Sequence, residues 1–161
     1  MDLILNEFTA GFPDLAQAVR VLVRIVMAML LGAIIGAQRQ HVGKSAGLRT
    51  HILVSVGSAL FIIGAIEYGL SSEGVARVVQ GVAAGIGFIG AGAILKRRQD
   101  REIEGLTTAS GLWATAAVGA AVGLGLLGLA LLSVIVIWFV LAGLGYLENR
   151  LSPSDSDTPD R

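Results

Sequence analysis

The chain contains no cysteine, which excludes a disulfide framework and any metal centre built on thiolates. It is also poor in charge. Only 15% of its 161 residues are Asp, Glu, Lys or Arg, against 54% hydrophobic, and the mean hydropathy is +0.75. A soluble domain sits nearer about 45–50% apolar and about 25% charged, so the composition argues against a water-soluble globule. The net charge is zero, which gives no basis for a nucleic acid partner. The charge deficit is also concentrated: between Glu104 and Glu148 there is no Asp, Glu, Lys or Arg. A single helix of that length would reach roughly 60 Å, about twice the hydrocarbon core of a bilayer, so the stretch must hold two spans.

What is present are apolar runs of membrane length. Five spans are predicted, over 19–37, 50–69, 75–95, 106–121 and 124–147, making an all-α, polytopic integral membrane protein with five transmembrane helices in contact with the lipid bilayer. The turn between the last two falls in GAAVGLGLLG, residues 119–128. The N-terminal MDLILNEFTAGFPDLAQ has acidic charges and no basic n-region, so it reads as mature protein. Phe8, Phe12, Leu15, Val19 and Leu22 recur at helical spacing, predicting an amphipathic interfacial segment over 1–18. The tail ENRLSPSDSDTPDR is polar and proline-punctuated, and 148–161 is expected to be disordered. Nine of the twelve basic residues lie in the 38–49 loop, the 96–105 loop and the tail. The positive-inside rule then puts the C-terminus in the cytoplasm and the N-terminus outside.

The third span carries G-x-G-x-x-G at Gly85, Gly87 and Gly90, the spacing of a dinucleotide loop. That reading needs a helix packed on a sheet and further βα units. Only a few residues separate the motif from the charged KRRQDRE, so it fails. On a helical wheel Val75, Val78, Val82, Ile86, Ile89 and Ala93 share one arc of about 80°, expected to face lipid. The remaining circumference is mostly small. Gly81, Gly85, Gly87, Gly90 and Gly92 form the predicted helix-packing face, with Gly81 and Gly85 a G-x-x-x-G pair. The third span is thus expected to be a central helix packed on most sides. Arg77, Gln80 and Phe88 share that face. Arg77 reads either as a charge snorkelling to the interface or as the lining of an outer vestibule.

In the fourth span Thr108, Gly111 and Thr115 share an arc of about 60°, with Thr107 nearby and Trp113 opposite. Such hydroxyls either bond the i−4 carbonyl or a neighbouring helix, or line a polar pathway; Ser55 and Ser58 fall under the same choice. The loop QRQHVGKSAGLRTH holds His41 and His51 and reads as a basic surface at an anionic leaflet. Together Arg49, Arg77, Gln80, Thr107, Thr108 and Thr115 are the candidate polar pathway or ligand site. The interior of the predicted spans holds no carboxylate; the nearest, Glu67, stands toward the outer end of the second. No metal site or cofactor is therefore expected. No nucleophile–base pair or phosphate loop occurs, so no catalytic residue is assigned and the protein is expected not to be an enzyme.

Three blocks, AGLRTHILVSVGSALF (46–61), RVVQGVAAGIGFIGAGAIL (77–95) and GLTTASGLWATAAVGAAVG (105–123), with the shorter GAIIGAQRQ (32–40), resemble the membrane domain of the MgtC/SapB family over roughly residues 20–145. Relatives usually carry Glu-Arg where this chain has Gln38-Arg39, and many carry a soluble C-terminal domain. The resemblance implies a bacterial inner-membrane protein linked to growth under magnesium limitation and, in pathogens, to virulence. It also implies action on membrane machinery such as the ATP synthase. Two readings follow: a non-enzymatic helix-packing regulator, expected as a homodimer, or a transporter or channel for a small ion or solute, with Mg²⁺ the less favoured cargo.

Overall fold

In a bilayer an open chain satisfies every backbone N–H and C=O only as helix. The computed structural model of the protein describes residues 14–96 and 103–144. Most of the expected interfacial segment and all of the expected tail lie outside the described residues. Helix α1 runs Leu15–His41, α2 Leu48–Glu67, α3 Ser72–Ala93, α4 Leu106–Gly123 and α5 Leu127–Trp138, continued by a π-helical stretch, Phe139–Leu144. All five are long and apolar enough to cross a membrane, with ends a few residues from the predicted ones. One detail is additional to the helical reading: between α3 and α4 a two-residue antiparallel ladder sets Leu95 against Glu104 and Lys96 against Ile103.

Local chemistry sets the helix ends. Asp14 caps α1 by accepting from the Gln17 amide, and Ser71 caps α3 by accepting from the Gly74 amide. The α4–α5 turn, residues 124–126, falls inside the predicted glycine-rich stretch. It uses Gly125 at φ +81°, a left-handed conformation that costs glycine little. Arg24 of α1 reaches this turn and donates to the Gly123 carbonyl at 3.0 Å. A cation at a helix C-terminus satisfies an orphan carbonyl and complements the dipole.

The described helices contain three G-x-x-x-G pairs, and two of them build the core. Gly32 and Gly36 of α1 press on α2. A Cβ at Gly32 would lie 2.8 Å from the His51 carbonyl oxygen, and one at Gly36 would lie 2.8 Å from the Leu48 Cα. Gly119 and Gly123 of α4 press on α2 elsewhere along its length. A Cβ at Gly119 would overlap the Ser55 carbonyl, and one at Gly123 would lie 2.9 Å from the Ala59 oxygen. Around these contacts Ala28, Leu31, Ile35, Ala59, Ile63, Val118 and Val122 fill the interior.

Two expectations are corrected here. Helix α4 is the central helix, with eleven buried residues, whereas α3 buries only Ile86 and Gly90. Half of the arc assigned to lipid packs inside the chain instead: Val82, Ile86 and Ala93 meet Leu112, Ala116, Ala46 and Val54, whereas Ile89 is 48% exposed. Of the predicted packing glycines only Gly90 has a neighbour, with Ala109 Cβ at 3.5 Å from its added Cβ; Gly81, Gly85, Gly87 and Gly92 face open space within the chain. The physical reason is that Val82 and Ile86 of α3 interleave with Leu112 and Ala116 of α4, so that, apart from Gly90 against Ala109, the glycines of α3 turn away.

Gly119→Ala should accordingly destabilise the protein by about 2 kcal/mol or more, through forced separation of α4 from α2. Gly81→Ala should leave the chain's own stability within about 0.5 kcal/mol. Denaturation of both variants in detergent checks the contrast.

Candidate functional site

The buried residues of α1 include Ala28, Leu31, Gly32, Ile35, Gly36 and Arg39, a helical stripe that ends on an arginine. Arg39 is only 2% exposed and heads the largest fully buried side chains. Its one side-chain bond is long, from Nη2 to Thr108 Oγ1 at 3.5 Å. Its Nε is buried without a partner, and among the described residues it forms no salt bridge.

One turn apart on α2 stand His51 and Ser55, both 0% exposed. His51 Nδ1 lies 2.8 Å from Thr115 Oγ1, and the Thr115 hydroxyl donates to the Gly111 carbonyl at 2.8 Å. A hydroxyl carries one proton. Thr115 therefore accepts from His51 Nδ1–H, which leaves Nε2 as a lone-pair acceptor. That nitrogen is buried and unpartnered, as is Ser55 Oγ. The Thr108–Gly111–Thr115 face of α4 thus meets Arg39 from α1 and His51 from α2, a buried polar line within an apolar bundle.

Gln38, beside Arg39, points elsewhere and donates through Nε2 to the Leu141 carbonyl at 3.4 Å, inside the π-helical stretch of Phe139–Leu144. An ionised carboxylate has no proton for that bond, so glutamine and glutamate are not equivalent at this position.

The candidate residues divide accordingly. Thr108 and Thr115 are buried in the line, while Arg49, Arg77, Gln80 and Thr107 are exposed. Arg77 and Gln80, on the outward side of α3, do not meet the threonines. The reading of Arg39 and His51 as part of a basic surface loop is corrected: both are inside. The signal for Arg39 was the α1 stripe itself, which reaches it at the same spacing that buries Ile35 and Gly36. The Thr115 and Ser58 hydroxyls bond the carbonyls four residues back, the structural alternative given for such groups.

A second feature lies on another side. Between α2 and α3 runs a groove of about 760 Å³ whose lining includes Leu53, Gly57, Phe61, Val78, Gly81 and Gly85. Its glycines have nothing within 4 Å of an added Cβ. The third G-x-x-x-G pair therefore floors a groove instead of a contact.

Five apolar helices around a glycine-closed core define a multi-pass membrane bundle. The MgtC family matches residues 25–150, and this chain belongs to that family. It is 46% identical over 137 residues to Protein SrpB of Synechococcus elongatus, covering 78% of this chain and 75% of SrpB. It is 42% identical over 138 residues to the putative magnesium transporter YhiD of Escherichia coli, covering 81% of this chain and 63% of YhiD. It is also 42% identical over 116 residues to Protein MgtC of Salmonella typhimurium, covering 72% of this chain and 48% of MgtC. The aligned region thus spans about half the length of MgtC and under two thirds of YhiD. No solved structure matches the chain.

Thr115→Val removes the acceptor for His51 Nδ1–H and should cost about 1–3 kcal/mol. Thr107→Val, at an exposed position, should cost almost nothing. Thermal melts of the two variants test the buried bond, and a nitrogen-15 NMR spectrum of labelled histidine should report the Nδ1–H tautomer.

Proposed function

We propose that this chain is a non-enzymatic bacterial inner-membrane protein of adaptation to low Mg²⁺, acting through helix packing with a second copy of itself. The observation that carries the packing is the groove between α2 and α3. Two of the three G-x-x-x-G pairs are filled by α2, while Gly81 and Gly85 are left open along it. Small residues on a membrane helix let another backbone approach closely, and packing contacts drive association where lipid and helix are equally apolar. Phe88 stands 85% exposed on α3, a large apolar side chain available to a partner helix.

The magnesium context rests on the names MgtC and putative magnesium transporter carried by relatives. Mg²⁺ demands oxygen ligands in near-octahedral array, whereas the buried line presents a guanidinium, an imidazole and hydroxyls. A regulatory role in ion homeostasis suits these groups better than conduction of Mg²⁺ itself. The Lys/Arg distribution of the sequence supports an N-terminus outside and a cytoplasmic C-terminus.

Because the chain has no cysteine, single-cysteine variants report contacts without background. Gly81→Cys and Gly85→Cys should give intersubunit disulfides in native membranes, whereas Leu132→Cys, on the exposed side of α5, should not. An absence of crosslinks at both groove positions, or equal crosslinking at Leu132, would sink the interface.

A further inference from the structure

Arg39 is a buried cation with no opposite charge against it among the described residues. Nε has no partner, and the single bond to Thr108 is 3.5 Å long. A charge taken out of water in this way is costly unless it is paired and hydrogen-bonded. The C-terminus of α1 is a weak source of compensation, because its last carbonyls are engaged. The carbonyls of Gln38, Arg39 and Gln40 accept from the amides of Val42, Lys44 and Gly43. We propose that Arg39 seats a compact anionic group where α1 ends and α2 and α4 begin. That group is either a small inorganic anion or the phosphate of an anionic lipid headgroup.

The surroundings fit an anion. Thr108 stands in the first turn of α4, whose N-cap is Gly105, and α2 opens on Gly47; neither glycine supplies a side-chain cap. Gln40 Oε1 holds the Leu48 amide of α2, so α4 keeps the more open positive end. Helix N-termini favour negative charge, and the first turn of α4, where Thr108 meets the Arg39 guanidinium, adds to a field that repels a cation. The Thr108 hydroxyl accepts from Arg39 and retains its own proton to donate. Gln38 Oε1 and His51 Nε2 are orphan acceptors and Ser55 Oγ an orphan hydroxyl; an anion gains nothing from the two acceptors, so it belongs on the Arg39–Thr108 side. None of these residues lines the α2–α3 groove, and the site stands apart from the packing reading.

The test melts the purified full chain in a neutral detergent with sodium gluconate, a bulky anion, as the reference. Sodium chloride, inorganic phosphate or phosphatidylglycerol is then titrated in at constant ionic strength. A saturable rise in Tm of about 3 °C or more is expected from at least one of the three. Chloride or phosphate would identify a free ion as the source; phosphatidylglycerol alone would identify a lipid headgroup. Arg39→Met should abolish the rise yet melt no lower than the parent in gluconate, since an unpaired buried charge has been removed. Thr108→Val should shift the titration midpoint about tenfold higher, as loss of one charge-assisted hydrogen bond implies. No rise with any of the three probes, or an equal rise in Arg39→Met, overturns the site. If Arg39→Met fails to fold, an unchanged midpoint in Thr108→Val overturns it.

Discussion

The architecture depends on how closely α1 and α4 approach the backbone of α2. Gly32 and Gly36 from one helix, and Gly119 and Gly123 from the other, remove the side chains that would hold the backbones apart. In lipid there is little hydrophobic gain in bringing two apolar helices together, so dispersion and shape carry the association. With three backbones this close, the facing side chains must be small or must bond one another. His51, Ser55 and Thr115 lie in that layer because the glycines draw it tight. The His51–Thr115–Gly111 chain of hydrogen bonds is then one way a polar residue persists there.

The outer helices follow from this core. Helix α3 docks through Val82, Ile86 and Ala93 against Leu112 and Ala116 of α4, and needs none of its own glycines to do so except Gly90. Gly81 and Gly85 are turned outward and, with Val78, Val82, Ile86 and Ile89, form the α3 wall of the groove with α2. Arg24 shows the same economy at the other end of α4, where one charged side chain finishes the helix and holds the turn to α5.

Much of this was legible in the sequence, for identifiable reasons. The five spans and the turn at Gly125 follow from extremes of composition, which a bilayer enforces strictly. The buried face of Thr108, Gly111 and Thr115 follows from helical spacing. The orientation of α3 does not. Periodicity separates the valine–isoleucine arc from the glycine face, but lipid and protein interior are both apolar, so the pattern alone does not say which face meets which. Nor did spacing reveal that three G-x-x-x-G pairs would have different fates. Arg39 sat on the readable α1 stripe, yet its charge and its place near the end of the span pointed to a surface loop.

If the filled glycine pairs build the bundle and the open pair serves association, the two functions separate by substitution. The most direct measurement is energy transfer between donor- and acceptor-labelled copies in liposomes, for the parent, Gly85→Leu and Gly119→Leu. Gly85→Leu should keep the folded helical content of the parent and lose most of the transfer, while Gly119→Leu should lose the fold. Transfer undiminished in a folded Gly85→Leu would show that the open groove is not where copies meet.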